Sequence, residues 1–108
     1  MDEELCEVVV TAGDPDWLVG FTRTLVERRL AACGHNWSAI RSIYRWHGAV
    51  HDEPEARVAL HTRRSLVPAI VALADELHPY DVPCVIALLL VGGNPAYLAW
   101  IAAETREP

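Results

Sequence analysis

His78 and Cys84 are the residues whose chemistry first suggests a binding site, since they flank the proline-rich segment 79–83. Imidazole and thiolate together suit copper or zinc, so the pair is a candidate metal site. In the structural alternative, the ring of His78 caps a helix end and Cys84 is a small buried residue. Free cysteines are often simply buried, which makes this alternative the more common one. A Cys–His nucleophile is a weaker interpretation, because no third group or oxyanion hole can be identified.

Aromatic side chains form a second candidate site, a pocket for a small ligand. The candidate lining residues at this stage are Tyr44, Trp46, Tyr80, Tyr97 and Trp100. Aromatic residues near a hairpin and a terminal helix more often pack in interfaces, so both interpretations stay open. The pair His47 and His51 suggests a chelate, but the hairpin predicted below places the two rings on opposite faces.

The composition limits the chemistry of these sites. All nine basic residues are arginine, and the absence of lysine excludes a Schiff-base enzyme and a phosphate-loop lysine. The sequence has no glycine-rich phosphate loop, nucleophile elbow, H-E-x-x-H or C-x-x-C motif, so no enzyme class is indicated. A net charge of -6 and short arginine pairs argue against a nucleic-acid partner.

Signals for secretion or membrane insertion are also missing from the sequence. The acidic N-terminal segment is unlike the start of a signal peptide, and the longest apolar run, Val85–Val91, is too short for a membrane helix. Three cysteines without close spacing predict reduced thiols. We therefore expect a cytoplasmic protein with no membrane partner.

The first elements that must position these residues are a strand and a helix. The short β-branched run Cys6–Ala12 predicts a strand, and apolar residues at helical spacing predict a helix over residues 15–32. Asp14 is the predicted helix cap, with Pro15 at the first position. Gly34 is expected to end the helix in a left-handed conformation.

Residues 35–62 are predicted to form a long β-hairpin with Gly48-Ala49 as its two-residue turn. The cross-strand pairs expected from this turn are Trp46–His51 and Arg45–Asp52. The apolar residues of the first strand cannot all share one face, so a bulge must shift the register or both faces must be covered. A small domain cannot cover both faces of a projecting ribbon, which suggests a partner chain.

The second half of the chain predicts two helices and a strand. Apolar residues over 66–77 form one helical stripe, with Ser65 as a cap and Pro79 ending the helix at the preceding residue. The continuously apolar run Cys84–Val91 predicts a central strand buried on both sides. Asn94 is the predicted cap of a last helix.

The resulting order is β-α-β-β-α-β-α, which we assign to a single domain over residues 1–108. Its first six elements form the split β-α-β pattern of an α+β protein, a four-stranded antiparallel sheet with two helices on one face. This fold supports many unrelated activities, so it does not define a function.

Four sequence motifs carry a family resemblance. They are Leu30-Ala31-Ala32-Cys33, Ser42-Ile43-Tyr44-x-Trp46-x-Gly48, Leu77-His78-Pro79-Tyr80-x-Val82-Pro83 and Gly93-Asn94-Pro95-x-Tyr97-Leu98-x-Trp100-Ile101. In this order and with these spacings the chain resembles the CutA, or divalent-cation tolerance, family over about residues 6–102. The resemblance implies a ferredoxin-like fold in a homotrimer, in which the hairpin ribbons extend the sheets of neighbouring subunits.

The resemblance also implies a function. The family is linked to copper tolerance and metal binding, and no enzymatic reaction is associated with it. We therefore expect a non-enzymatic trimer that binds copper or another divalent metal at His78 and Cys84. The alternative is a sensor or adaptor similar to PII-type signalling proteins, with a small ligand in the cleft between subunits. The residues expected to line that pocket are Tyr44, Trp46, His61, Tyr80 and Trp100.

The chain departs from the family at several positions that bear on metal binding. Val10 stands where some members have a copper-binding cysteine, and Leu77 stands where some have the first of two successive histidines. Cys84 replaces a usual acidic residue and His61 replaces a usual lysine. The resemblance therefore implies the fold and the trimer, while the ligand set carries over at His78 alone.

Overall fold

The helices and strands follow the predicted order. A computed structural model describes residues 3–108 of the chain. Its elements are β1 (Leu5–Ala12), α1 (Pro15–Glu27), β2 (Cys33–Trp46), β3 (Ala49–Arg63), a 3-10 turn (Arg64–Leu66), α2 (Val67–Leu77), β4 (Val85–Leu89) and α3 (Pro95–Glu104). Among the helices of this part of the chain, none is long and apolar enough to cross a membrane.

The four strands found within residues 3–108 form an antiparallel sheet in the order β2-β3-β1-β4. β1 and β3 lie in the centre, and β2 and β4 lie at the two edges. This is the ferredoxin-like arrangement of the split β-α-β pattern, so the predicted α+β fold class is confirmed.

One face of the sheet, here called the helix face, packs against α1 and α2. Val8 of β1 and Leu60 of β3 are fully buried on it, together with Leu18 of α1 and Ile70 of α2. Burying an aliphatic side chain of this size contributes roughly 1.5–3 kcal/mol. This apolar layer is the hydrophobic core of the chain.

The other face of the sheet, here called the open face, is covered by α3 at one end. α3 contacts β3 and β1, and its Ile101 is fully buried, while Val9 and Ala59 on the central strands are buried. Arg63 of β3 fastens the helix, since its Nη2 donates to the carbonyl oxygen of Ala102 at 2.7 Å. α3 therefore leaves the hairpin end of the open face exposed.

The predicted start of α1 and the predicted end of α2 are confirmed, whereas the predicted cap of α2 is wrong. The carboxylate of Asp14 caps α1 by accepting a hydrogen bond from the backbone of Asp16 at 2.9 Å, and α2 ends at Leu77. Ser65 does not cap α2, because it lies in the 3-10 turn; Leu66 precedes the helix and makes no side-chain capping bond.

The first helix is shorter than predicted, and Gly34 has a different task. α1 ends at Glu27, and the left-handed residue that follows is Arg29, with φ of 59°. Gly34 lies within β2, where a Cβ atom would come 2.4 Å from Cγ2 of Thr22 and 2.9 Å from Cδ2 of Leu60. A glycine is needed there because α1 packs closely onto the sheet.

The hairpin turn consists of His47 and Gly48, whose φ angles are both positive at 50° and 76°. Such a turn twists in the same sense as the flanking strands, which is why hairpins favour it. The predicted turn, one residue further along, is therefore wrong, and Trp46 pairs with Ala49 rather than with His51. A histidine accepts the left-handed conformation that the prediction reserved for glycine.

The predicted pairing of Arg45 with Asp52 is wrong for the same reason, since Arg45 lies opposite Val50. Asp52 instead accepts two hydrogen bonds from Arg41, from Nε at 2.7 Å and from Nη2 at 2.8 Å. The ribbon therefore has a contact between opposite charges, but with a different arginine.

A β-bulge over residues 38–40 leaves Ala39 without a partner on β3. The bulge confirms one of the two explanations predicted for the irregular apolar pattern of β2. Because side chains alternate along a strand, the extra residue exchanges the faces of the sheet. Trp37 before the bulge and Tyr44 and Trp46 after it consequently all lie on the open face.

The last strand lies at an edge, so its prediction as a central strand is wrong for this chain. In the described residues β4 pairs with β1 alone. Ile86, Leu88 and Leu89 are each about half exposed, at 55%, 49% and 49%. A continuous apolar run predicts cover on both faces, and this chain does not supply it.

Candidate metal centre

Three metal-binding side chains meet where β2 begins and β3 ends. Cys33 is the first residue of β2 and pairs with His61 of β3, and His35 follows on the same face of β2. The Sγ atom of Cys33 and one ring nitrogen from each histidine lie within 4.8 Å of one another. One thiolate and two imidazoles suit zinc and copper, so the arrangement is a candidate metal centre.

The carboxylate of Glu7 orients the ring of His61. Glu7 of β1 lies opposite His61 in the register, and its Oε1 lies 3.0 Å from Nε2. A carboxylate accepts hydrogen bonds, so Nε2 carries the proton and Nδ1 presents its lone pair. Nδ1 lies 3.7 Å from Sγ of Cys33. Histidines that bind metals usually donate their other ring N–H to a carboxylate or a similar acceptor, as His61 does to Glu7.

Tyr97 of α3 closes the centre from the side of the helix. Its Oη lies 2.5 Å from Nδ1 of His61 and 3.3 Å from Sγ of Cys33. Asn94 caps α3 and accepts the backbone N–H of Tyr97 at 3.3 Å. Burial, and then the contact with Cys33, raises the pKa of Tyr97 to about 12. Its hydroxyl is therefore protonated at neutral pH and donates to Nδ1.

The centre is accessible from solvent. Cys33 and His61 are half-buried, while His35 is exposed. The ring of His35 stands edge-on to that of His61, with centroids 5.4 Å apart. A metal ion can therefore approach past His35, which is the side chain with the most freedom to adjust.

His78, the first predicted metal ligand, is a buried side chain with both ring nitrogens bonded to the backbone. Its Nε2 donates to the carbonyl oxygen of Thr11 at 2.8 Å, and its Nδ1 accepts the N–H of Tyr80 at 3.0 Å. The ring also packs edge-on against Trp17, with centroids 4.7 Å apart. In this conformation neither nitrogen of His78 has a free lone pair for a metal.

Cys84, the second predicted ligand, is exposed just before β4. Within the described part of the chain, Cys84 makes no hydrogen bond with His78. Both ring nitrogens of His78 are bonded to the backbone groups given above. The structural alternative is thus supported for His78, but Cys84 is not the buried apolar residue which that alternative assumed.

Two residues of the predicted aromatic pocket lie near a pair of carboxylates. The hydroxyl of Tyr44 donates to Glu53 at 3.2 Å, and that of Tyr80 donates to Glu55 at 2.8 Å. Burial, followed by the hydrogen bond to Glu55, raises the pKa of Tyr80. Both hydroxyls are occupied by contacts within the chain.

The other predicted pocket residues lie elsewhere on the open face. Trp46 is at the hairpin tip, edge-on to His47, while His61 belongs to the metal centre. Trp100 stacks on Tyr97, with ring centroids 5.6 Å apart. Within residues 3–108 of a single chain, the predicted residues do not form one pocket. A pocket in a cleft between subunits stays a prediction.

The sequence analysis missed Cys33, His35 and Glu7 as members of a site. Extending the predicted hairpin register along both strands places Arg64 opposite Cys33. The observed turn shifts the pairing by two residues and the bulge shifts it by one more, which brings His61 into that position. The alternation Cys-x-His at the start of a strand was the available signal, but it identifies a site only once the register is known.

The topology defines a ferredoxin-like α+β protein, and the donor set gives it a candidate thiolate–imidazole metal centre. The family model for the CutA1 divalent ion tolerance protein matches residues 6–104. The chain therefore belongs to the CutA1 divalent ion tolerance family, as the sequence motifs predicted.

Individual relatives agree with this assignment. Protein CutA of Mus musculus is 44% identical over 85 residues, which are 79% of this chain and 48% of the relative. The chain thus spans about half the length of the curated relatives that it matches first. The divalent-cation tolerance protein CutA of Thermus thermophilus is 35% identical over 91% of this chain and 95% of its own length.

Solved structures show the same fold. CutA1 from Oryza sativa superimposes with a TM-score of 0.94 at 35% identity, over 98% of this chain and 97% of that one. The divalent cation tolerance protein from Thermus thermophilus gives 0.91 at 33% identity, over 94% and 99% of the two chains.

Proposed function

We propose that the chain is a non-enzymatic metal-binding protein that holds a divalent transition metal, copper by preference, at Cys33, His35 and His61. The observation that carries this proposal is the convergence of the three donor atoms within 4.8 Å. The family's description as a divalent ion tolerance protein supports it, because holding an excess ion is one way to confer tolerance. Glu7 adds support, since it fixes the His61 tautomer that a metal ion needs.

The donor set favours copper among divalent ions. Divalent first-row metals bind nitrogen and sulfur sites with affinities that rise to copper and fall again at zinc. The thiol of Cys33 must stay reduced in order to bind, and the chain's cysteines are free thiols. This requirement supports a reducing compartment, and we propose the cytoplasm.

We further propose that the chain works as a homotrimer. The exposed apolar side chains of β4 and of the hairpin support this, because single chains rarely leave such surfaces uncovered. A partner chain would also supply the missing cover of the apolar last strand. The alternative of a small-molecule sensor is not favoured, since its residues are dispersed in one chain and the family description names ions.

Metal titration of reduced, metal-stripped protein tests the proposed function. Native mass spectrometry with Zn(II), which does not oxidise thiols, and then with copper under anaerobic conditions should show one metal per chain. Cys33→Ser should weaken binding by more than the roughly 10- to 100-fold that loss of an outer-shell partner costs. The matched control is Cys84→Ser, which removes an exposed thiol outside the centre.

A second pair of variants separates the centre from general histidine binding. His35→Asn should weaken binding, whereas His51→Asn should not, although both histidines lie on strands of the same hairpin. Binding that survives Cys33→Ser and His35→Asn unchanged would contradict this proposal, and so would wild-type protein that takes up neither ion.

A further inference from the structure

The hydroxyl of Tyr97 occupies the space that a metal ion needs in the proposed centre. It bonds to Nδ1 of His61 and contacts Sγ of Cys33, which are two of the three donor atoms. His61 has no alternative nitrogen to offer, because Glu7 holds the proton on Nε2. The lone pair of His61 therefore has one occupant at a time, the tyrosine hydroxyl or a metal ion.

We propose that Tyr97 is an internal competitor that closes the empty centre and must swing out when a metal ion binds. This inference rests on the proposed function and adds a regulation to it. The closing hydroxyl satisfies a half-buried imidazole and thiol in the metal-free protein. It also sets a threshold, since an ion must bind tightly enough to break the contacts of the hydroxyl.

The surroundings of Tyr97 allow the side chain to move without the helix. Its residue is 36% exposed, so the ring has solvent to rotate into. α3 itself is fixed by the cap at Asn94 and by the buried Ile101. Arg63 adds a hydrogen bond to the last turn of the helix. The movement is therefore a side-chain rotation that costs the stacking of Tyr97 on Trp100.

When a metal ion replaces the hydroxyl of Tyr97, every proton and every ligand can be accounted for. A hydrated metal ion would exchange three water ligands, which return to solvent, for Sγ of Cys33, Nδ1 of His61 and a ring nitrogen of His35. The thiol proton of Cys33 passes to solvent, and the hydroxyl of Tyr97 keeps its proton and bonds to water. No oxidation or reduction takes part, so a redox-inert ion is sufficient to test the exchange.

Tyr97→Phe removes the competing hydroxyl and keeps the aromatic ring, and Co(II) reports thiolate binding by its charge-transfer absorption. Anaerobic titration of wild type and variant with Co(II), followed by competition with Zn(II), gives both affinities. In Tyr97→Phe the metal ion no longer has to break the hydrogen bond of the hydroxyl. Co(II) binding should therefore be tighter by about threefold to tenfold. The matched control is Tyr80→Phe, which removes a hydroxyl bonded to Glu55, and it should leave the affinity unchanged.

The outcomes separate the two proposals. Equal or weaker Co(II) binding by Tyr97→Phe, in a wild type that binds one ion per chain, overturns the role of Tyr97 and leaves the proposed function intact. A tyrosinate-to-metal absorption band in the wild-type complex also overturns it, because Tyr97 would then be a ligand. Absence of Co(II) and Zn(II) binding in wild type and Tyr97→Phe alike contradicts the proposed function, and the inference falls with it.

Discussion

Two histidines that each contact a residue of β1 have both ring nitrogens hydrogen-bonded, yet their partners differ in kind. His78 bonds to backbone groups of Thr11 and Tyr80, whose positions are fixed by the fold. His61 bonds to the side chains of Glu7 and Tyr97, and a side chain can rotate away. The comparison shows that a fully bonded imidazole can be a structural clamp or an available ligand, depending on whether its partners can leave.

The largest expected effect is the loss of stability when the structural histidine is removed. His78→Ala leaves two backbone groups without partners and opens a cavity beside Trp17, which should lower the free energy of unfolding by about 2–4 kcal/mol. Urea denaturation measures this change. Metal affinity of the folded variant should equal that of wild type, because His78 is not a ligand in our proposal.

The control for this variant is His47→Asn at the hairpin tip. Asparagine accepts the left-handed conformation of that position, so stability should change little. A His78→Ala protein as stable as wild type, or one that loses metal while folded, would remove the distinction between the two histidines.

A smaller effect is expected where the helix face and the metal centre meet, at Gly34. Gly34→Ala places a Cβ atom against Thr22 and Leu60, and overpacking of this kind costs about 1–3 kcal/mol. The displaced β2 backbone carries Cys33 and His35, so metal affinity should fall as well. Thermal or urea unfolding and Zn(II) titration measure the two changes on one protein.

Gly20→Ala is the matched control, because Gly20 lies in α1 with nothing within 4 Å of the added Cβ atom. It should stabilise the protein by up to about 1 kcal/mol through helix propensity. If Gly34→Ala is as stable as Gly20→Ala, then α1 packs less tightly on β2 than the distances at Gly34 indicate.

The smallest expected effect concerns His61 and its carboxylate partner Glu7. Glu7→Gln keeps the size of the side chain but removes the charge that holds the proton on Nε2 of His61. Loss of such an outer-shell partner should weaken Zn(II) binding by about tenfold, which corresponds to about 1.4 kcal/mol. Competition titration measures it, with Glu4→Gln as the control, since Glu4 pairs with Arg64 away from the centre. Unchanged Zn(II) affinity would mean that Glu7 does not orient the ligand.

Local patterns in the sequence were sufficient for most of the fold. Asp14 followed by Pro15 identified the start of α1, and the irregular apolar order of β2 predicted either a bulge or cover on both faces, of which the bulge is confirmed. The predicted hairpin turn was wrong because the prediction reserved the left-handed conformation for glycine, whereas His47 and Gly48 both adopt it. The predicted end of α1 was wrong because Gly34 allows close packing of α1 on the sheet and does not terminate the helix.

The metal centre was less accessible to prediction because it depends on three strands at once. Glu7, Cys33 and His61 are distant in the sequence and adjacent only in the observed register. A register error of one residue turns a side chain to the other face of a sheet. His78 and Cys84 drew attention because they are close in sequence, although closeness along the chain does not place two side chains on one site.

The bulge at Ala39 divides β2 into two segments whose side chains alternate between the faces in opposite phase. Residues 33–37 carry the candidate metal ligands Cys33 and His35, while residues 40–46 form the projecting ribbon with its aromatic open face. If Ala39 instead paired with Glu55, the register of the ribbon would slip by one residue and present Arg41 and Arg45 where Tyr44 and Trp46 now lie. The unpaired state of Ala39 thus determines whether this surface is aromatic or cationic, without any substitution in it.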